Sequence, residues 1–283
     1  NIGSAATLIG NPQNMLIGSV MKLHFADYVR HALPPVALSL GLLWLWLAHG
    51  PSAGPGAGPG AGPDAGAGAS SGVSGQAAAT PSGDAPATHD EPAFDAFQTA
   101  KGLLVAGALL LIFLFTDWPR DVAALVGAAV LLLSRRLHSS DVMGFVDWQL
   151  LLLFMGLFVV NHALQATGLA AQAVVWLGAQ GVHLAEPGAL LVVGVALSNL
   201  VSNVPAVMLL LPHLKGDAAG VTLALVSTLA GNLLLVGSIA NLIVADLAAK
   251  AGVHMGWREH ARVGVPVTLG TLAIVWAWMR WLG

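Results

Sequence analysis

Asn1-Ile2-Gly3-Ser4-Ala5-Ala6-Thr7-Leu8-Ile9-Gly10-Asn11-Pro12-Gln13-Asn14 sets two Gly, one Pro and three Asn into an otherwise apolar run. In hydrocarbon every backbone group freed by such residues must find a partner in the protein or in a wet cavity, so the interruption is costly. Pro12 has no N–H and suits the first position of a helix, and Asn11 before it can cap that helix through its side-chain oxygen. The stretch therefore predicts a half-helix that starts at mid-membrane. Its N-terminus, with free N–H groups and partial positive charge, suits an anion, and the unwound carbonyls before it suit a cation.

Composition supplies the hydrocarbon. Of 283 residues, 56% are hydrophobic and 9% are charged, against roughly 25% charged in a soluble domain. A water-soluble fold is excluded. No Asp, Glu, Lys or Arg occurs between Lys101 and Asp117, between Asp121 and Arg135, or between Asp147 and Glu186. Each gap spans or nearly spans a core that needs about 20 apolar residues, and none shows the polar face of a soluble helix. A net charge of −3 without a basic run argues against nucleic acid, and the absence of Cys removes disulfides and thiolate metal sites. The expected class is an all-α polytopic membrane protein, multi-pass in the cell inner (plasma) membrane.

Three regions follow. Residues 1–49 hold the interrupted segment to Met21, a polar turn from Lys22 to His31, and a span after Pro34 and Pro35 ending in the interfacial belt Trp44-Leu45-Trp46. Asn1 is not an initiator Met and no leader precedes the motif, which predicts an N-terminally truncated fragment. Residues 50–98, mostly Gly, Ala, Pro and Ser, read as a disordered linker. Its Gly68-Ala69-Ser70-Ser71-Gly72 matches a nucleophile pattern by letter and lacks the strand-turn-helix context that pattern requires. Residues 99–283 carry spans at about 101–116 and 120–134, a span from Asp147 to Gln165, a short helix over 168–182, and a last span over 263–282. The Lys and Arg residues divide almost evenly between the two sides, so charge alone orients the chain weakly.

Two further breaks lie in the third region. Leu197-Ser198-Asn199-Leu200-Val201-Ser202-Asn203-Val204-Pro205 interrupts an apolar segment whose arms are each too short to cross, which predicts a re-entrant hairpin over about 187–212 with a polar tip. Thr228-Leu229-Ala230-Gly231-Asn232-Leu233-Leu234-Leu235-Val236-Gly237-Ser238-Ile239-Ala240-Asn241 interrupts a segment over about 219–249. With a shift of 227 (237 minus 10), Leu8, Gly10 and Asn14 fall on Leu235, Gly237 and Asn241. Matching interruptions in two halves are a sequence signature of a transporter site at a repeat interface.

With Asp147-Trp148 opening a span, these motifs resemble the ion transporter superfamily, above all its arsenite and anion permease branch with a citrate-transporter-like domain. The resemblance implies an inverted-repeat transporter in which each repeat pairs a re-entrant hairpin with an unwound helix. Residues 1–49 would end the first repeat, 99–283 would form the second, and the linker would be cytoplasmic. It implies that Ser202 and Asn203 at the hairpin tip, and the breaks near Gly3, Thr7, Gly10, Asn232 and Gly237, surround solute and coupling ion. Asn1, Asn11, Asn14, Ser198, Asn199, Ser238 and Asn241, the other polar residues of these breaks, complete the candidate set. Sodium-coupled dicarboxylate members carry Ser-Asn-Thr at such a tip. Here it reads Ser202-Asn203-Val204, one hydroxyl short, which weakens a dicarboxylate reading.

The remaining polar residues narrow the function. Asp147 and Asp246 lie near span ends, leaving no central carboxylate for a cation antiporter. Asn161, His162 and His213 are candidates for a proton relay, weighed against the commoner role of a hydrogen-bonded residue at a helix end. No H-E-x-x-H or P-loop occurs, so neither a zinc site nor ATP use by this chain is expected. The expectation is a secondary carrier, not an enzyme, for a small anion or an oxyacid such as arsenite, working by alternating access. Rivals are a sodium-coupled citrate-like symporter, a sodium/proton antiporter and, from another class, an intramembrane enzyme. No cofactor is expected beyond a coupling ion, Na+ or H+. The partners are the solute and lipid, with room for a homodimer and for a separate ATPase.

Overall fold

The computed structural model describes residues 1–49, 96–116, 118–133, 144, 146, 148–253 and 255–282, and among them the chain is all-α, with no strand. The linker reading falls largely outside the described residues, as do Asp147 and the turn Ser134 to His138.

Helix α1 (Pro12–Val20) begins at the predicted cap. Pro12 takes its first turn and Asn11 Oδ1 accepts from the Asn14 N–H at 2.8 Å. Helix α2 (Phe25–His49) corrects the expected boundary: it starts well before the prolines and carries Pro34 and Pro35 inside it. Pro35 cannot donate to the carbonyl four residues back, at His31. Trp278 Nε1 donates to that carbonyl at 3.1 Å, supplying the bond the proline lacks.

Helices α3 (Ala96–Phe115) and α4 (Arg120–Leu132) pack on each other, and a Cβ at Gly127 would lie 2.9 Å from Leu109 Cδ1. Glycine permits that approach, as small residues do between membrane helices. The described α4 has 13 residues, too few to cover a core of about 30 Å at about 1.5 Å per residue. Helices α5 (Trp148–Ala166) and α6 (Leu169–Ala179) meet at a 61° bend around Gly168, whose φ is +72°. By length and composition α2, α3 and the last helix can cross a membrane, and the bent α5–α6 pair can count as a fourth span.

The next three helices, α7 (Pro187–Val201), α8 (Asn203–Leu210) and α9 (Asp217–Ala230), define the hairpin. A Cβ at Gly194 would lie 3.0 Å from Val226 Cγ1, and Asn199 Nδ2 donates to the Ala230 carbonyl at 3.1 Å. Later residues of α7 thus meet later residues of α9, so the two run parallel. The chain must therefore return through α8 between them. It reverses at Ser202, whose φ of +75° and ψ of 161° lie where an L-residue is strained. The hairpin enters at Pro187 and comes back to His213 on the side it left.

Helix α9 is the axis. Every residue from Thr222 to Ala230 is buried, and α1, α2, α7, α8 and α11 all pack against it. Beyond it the chain unwinds over residues 231–238, with one short 3-10 turn at Leu235–Gly237, and resumes as α10 (Ile239–Lys250). The final helix, α11 (Trp257–Leu282), begins six residues earlier than the expected 263, which brings His260 into it. It runs antiparallel to α2: Gly270 faces Leu42, while Trp278 reaches His31.

Candidate functional site

The two unwound segments are built alike. Half-helices α1 and α10 start at Pro12 and Ile239, and 239 − 12 = 227, the shift read from the sequence. Asn14 Nδ2 donates back across its break to the Thr7 carbonyl at 3.1 Å; Asn241 Nδ2 does the same to the Leu234 carbonyl at 3.3 Å. Both bonds span seven residues. The glycines correspond too. A Cβ at Gly10 would lie 1.9 Å from the Ser4 carbonyl oxygen, and one at Gly237 would lie 3.3 Å from that of Gly231. Each glycine lets the chain fold closely onto its own unwound turn.

Between the breaks the contacts are reciprocal. Asn11 Nδ2 donates to Thr228 Oγ1 at 3.2 Å, and Thr228 Oγ1 donates to Asn14 Oδ1 at 3.3 Å. Shifted by 227, positions 1, 11 and 14 become 228, 238 and 241. Ser238 Oγ donates to Asn1 Oδ1 at 3.1 Å, and Asn1 Nδ2 donates to Asn241 Oδ1 at 3.0 Å. Residue i of one half thus meets j of the other, and j meets i, which is the contact pattern of units related by a two-fold axis. Asn1 Nδ2 also donates to Asn232 Oδ1 at 2.9 Å, closing the network around the second break.

The hairpin tip docks into that break. Asn203 is buried, and in the amide orientation that satisfies both of its atoms it donates to the Ser227 carbonyl at 3.0 Å and the Gly237 carbonyl at 3.2 Å. Asn199 Nδ2 bridges the Val195 and Ala230 carbonyls at 3.0 and 3.1 Å. A Cβ at Gly237 would lie 2.9 Å from Asn199 Oδ1. Around this junction Ser198 Oγ, Asn199 Oδ1 and Asn232 Nδ2 are buried atoms with no hydrogen-bond partner. Orphaned groups are rare in native interiors, and each calls for a partner.

The structure thus gathers Asn1, Asn232, Ser238 and Asn241 at one place with Asn199, Asn203 and Gly237 beside them, and joins Asn11 and Asn14 to the same network through Thr228. Gly3 is exposed, with no heavy atom within 4 Å of a Cβ placed there. Thr7 contributes its carbonyl, Gly10 its lack of a side chain, and Ser202 the reversal itself. Asn161 and His162 hydrogen-bond to neither break, and Asn161 Nδ2 is an orphan within α5.

Three residues of the network escape a sequence reading. Thr228 links the halves through bonds to partners more than 200 residues away. Tyr28 Oη donates to the Ala5 carbonyl at 2.8 Å and accepts from Asn14 Nδ2 at 3.1 Å. His260 Nε2 lies 3.0 Å from the Asn232 carbonyl oxygen. The repeat shift itself holds the signal for Thr228, which falls on Asn1.

Comparison with known proteins places the chain in a family. The family model described as citrate transporter matches residues 1–230. A Mycobacterium tuberculosis protein described as an uncharacterized transporter is 29% identical over 99% of this chain and 65% of its own length. The silicon efflux transporter LSI3 of Oryza sativa subsp. japonica is 29% identical over 97% of this chain and 67% of its own. The inner membrane protein YbiR of Escherichia coli is 32% identical over 92% and 58%. The chain spans about two thirds of the length of the mycobacterial relative.

Proposed function

The chain belongs to the citrate transporter family, and from that membership we propose that it carries the solute site of a secondary carrier for a small neutral oxyacid or anion of the arsenite type. The single observation that carries this reading is the junction of hairpin tip and second break. There Ser198 Oγ, Asn199 Oδ1 and Asn232 Nδ2 offer one hydroxyl, one acceptor and one donor that no protein group uses. A small polyhydroxy acid presents the complementary mixture of O–H donors and oxygen acceptors. The N-terminus of α10 beside them favours partial negative charge on the solute.

The neutral-oxyacid reading is further supported by the charge at the site. Among the described residues, no Lys or Arg hydrogen-bonds to either break. A citrate-like trianion held away from water calls for paired charge. The relative named as a silicon efflux transporter fits the same solute class. The family's description as citrate transporter favours a citrate carrier as the second reading, although the tip carries Val204 where the resemblance to dicarboxylate members implies a hydroxyl.

The reciprocal network supports a reading of alternating access. Two halves related by a pseudo-two-fold can exchange their conformations around a fixed midplane site, with the hairpin and break of one half moving against the bundle of the other. We place the carrier in the cell inner membrane, coupled to Na+ or H+. The test is flux through proteoliposomes holding the full-length protein, with arsenite, silicic acid and citrate offered separately. Saturable flux of arsenite or silicic acid that exceeds citrate flux is expected. Citrate flux alone would overturn the oxyacid assignment, and no flux of any of the three would overturn the carrier reading.

A further inference from the structure

Resting on the carrier reading, we propose that His260 is a proton-binding site of the transport cycle, so that one of two otherwise equivalent breaks responds to pH. The observation is a broken symmetry. In the first half, Tyr28 Oη on the helix after α1 donates to the Ala5 carbonyl at 2.8 Å. In the second half, His260 on the helix after α10 sets Nε2 3.0 Å from the Asn232 carbonyl oxygen. Asn232 is Ala5 displaced by the repeat shift, since 232 − 5 = 227. Both side chains hold the unwound backbone at the same place. A phenol stays neutral through the physiological range, whereas an imidazole is the side chain whose charge changes there.

The ring's roles are set by its partner. A carbonyl only accepts, so Nε2 carries a hydrogen, and Nδ1 is the nitrogen that takes or releases the proton. Gly264, one turn further along α11, makes the contact fit: a Cβ there would lie 2.5 Å from the Asn232 carbonyl oxygen and 2.9 Å from His260 Nε2. The ring also lines a cavity of about 560 Å³ together with Asn1, Gly3, Asn232 and Glu259, which connects it to the break.

Among the described residues the charged neighbours are few. Glu259 lines the same cavity and its Oε2 accepts from the Gly256 N–H. Arg258 and Arg262 are exposed on α11, with Arg258 over the Trp257 ring. Of the elements packed on α11, α2 ends in His49, α9 has Asp217 at its first position, and α7 and the 3-10 turn at Leu235–Gly237 contain no titratable residue. Asp246 and Lys250 lie on α10, the helix before it. Protonation turns the Nε2–H bond into a charge-assisted one and sets positive charge beside Asn232, whose Oδ1 is already bonded to Asn1. The second break is thereby held closed, and deprotonation loosens it.

The test compares wild type with His260→Gln, which keeps an N–H donor without ionising, and His260→Tyr, which copies the first break. The initial rate of arsenite flux through proteoliposomes of the full-length protein is read from pH 5.5 to 8.5. Wild type is expected to change several-fold, up to about tenfold per pH unit for a single site. Both variants are expected to stay flat across that range. Amide exchange of residues 233–238, measured without solute, is the second readout: the ratio of variant to wild-type rate should change with pH. Variant flux profiles parallel to wild type, or an exchange ratio constant with pH, would overturn the proposal. A pH-dependent ratio without flux of arsenite, silicic acid or citrate would overturn the carrier reading and keep the proton site.

Discussion

Asn1 and Asn241, 240 residues apart in the chain, are joined by a 3.0 Å hydrogen bond from Nδ2 of the first to Oδ1 of the second, and this bond ties the two unwound segments together. Asn241 also donates to the Gly231 carbonyl at 2.7 Å. Asn241→Ala strips that buried carbonyl of its partner, at a cost of about 1–3 kcal/mol. Asn14→Ala removes the corresponding groups of the first half and should cost a similar amount. Thermal unfolding of the two variants in detergent checks this, and a large loss for one with none for the other would contradict the two-fold relationship.

The two matched glycines should fail differently. At Gly10 an added Cβ meets backbone, the Ser4 carbonyl, at 1.9 Å, whereas at Gly237 it first meets the end of a side chain, Asn199 Oδ1, at 2.9 Å. Gly10→Ala is therefore expected to lower the melting temperature strongly. Gly237→Ala should leave the fold nearer intact and lower solute affinity by displacing Asn199. Melting temperature and flux, measured side by side, separate the two effects.

Trp278 and Pro35 form a testable pair. Trp278→Phe leaves the His31 carbonyl without its donor, a loss of about 1 kcal/mol. Pro35→Ala restores a backbone N–H for that carbonyl, so the Trp278→Phe cost should shrink toward zero in the Pro35→Ala background. A double-mutant cycle on unfolding midpoints reads the coupling. Additive losses would rule out the substitution of one donor for the other.

Arg120 fastens α4 to the turn between α1 and α2: its Nη2 donates to the Leu23 carbonyl and its guanidinium lies 5.9 Å from the centre of the Phe25 ring. Arg120→Met should cost about 1.5–3 kcal/mol, the range for a hydrogen bond to a charged group. Arg120→Lys keeps charge without the planar fork and should recover part of that loss. Equal melting temperatures for all three proteins would contradict the role.

Much of this was legible in the sequence because it is local. Asn11 and Pro12 announce a helix start on their own, the two short arms around Ser202 announce a hairpin, and the 227-residue shift finds the start of α10. What was not legible depends on partners far along the chain. The prolines sit inside α2 because Trp278, 243 residues beyond Pro35 (278 − 35), supplies a donor. Thr228 reads as one more hydroxyl in an apolar helix until α1 is packed against it. His260 lies among charged residues that look like a surface turn, and only the early start of α11 carries its ring to the Asn232 carbonyl.

The central claim is that the hairpin tip and the second break hold the solute between them. The most direct measurement is the concentration dependence of arsenite flux through proteoliposomes of the full-length protein, for wild type, Ser198→Ala and Asn199→Ala, each shown to be folded by its melting temperature. The account predicts a half-saturation concentration raised about tenfold or more in each variant, the loss of one buried hydrogen bond of about 1.5 kcal/mol. Half-saturation unchanged from wild type in both folded variants would contradict it.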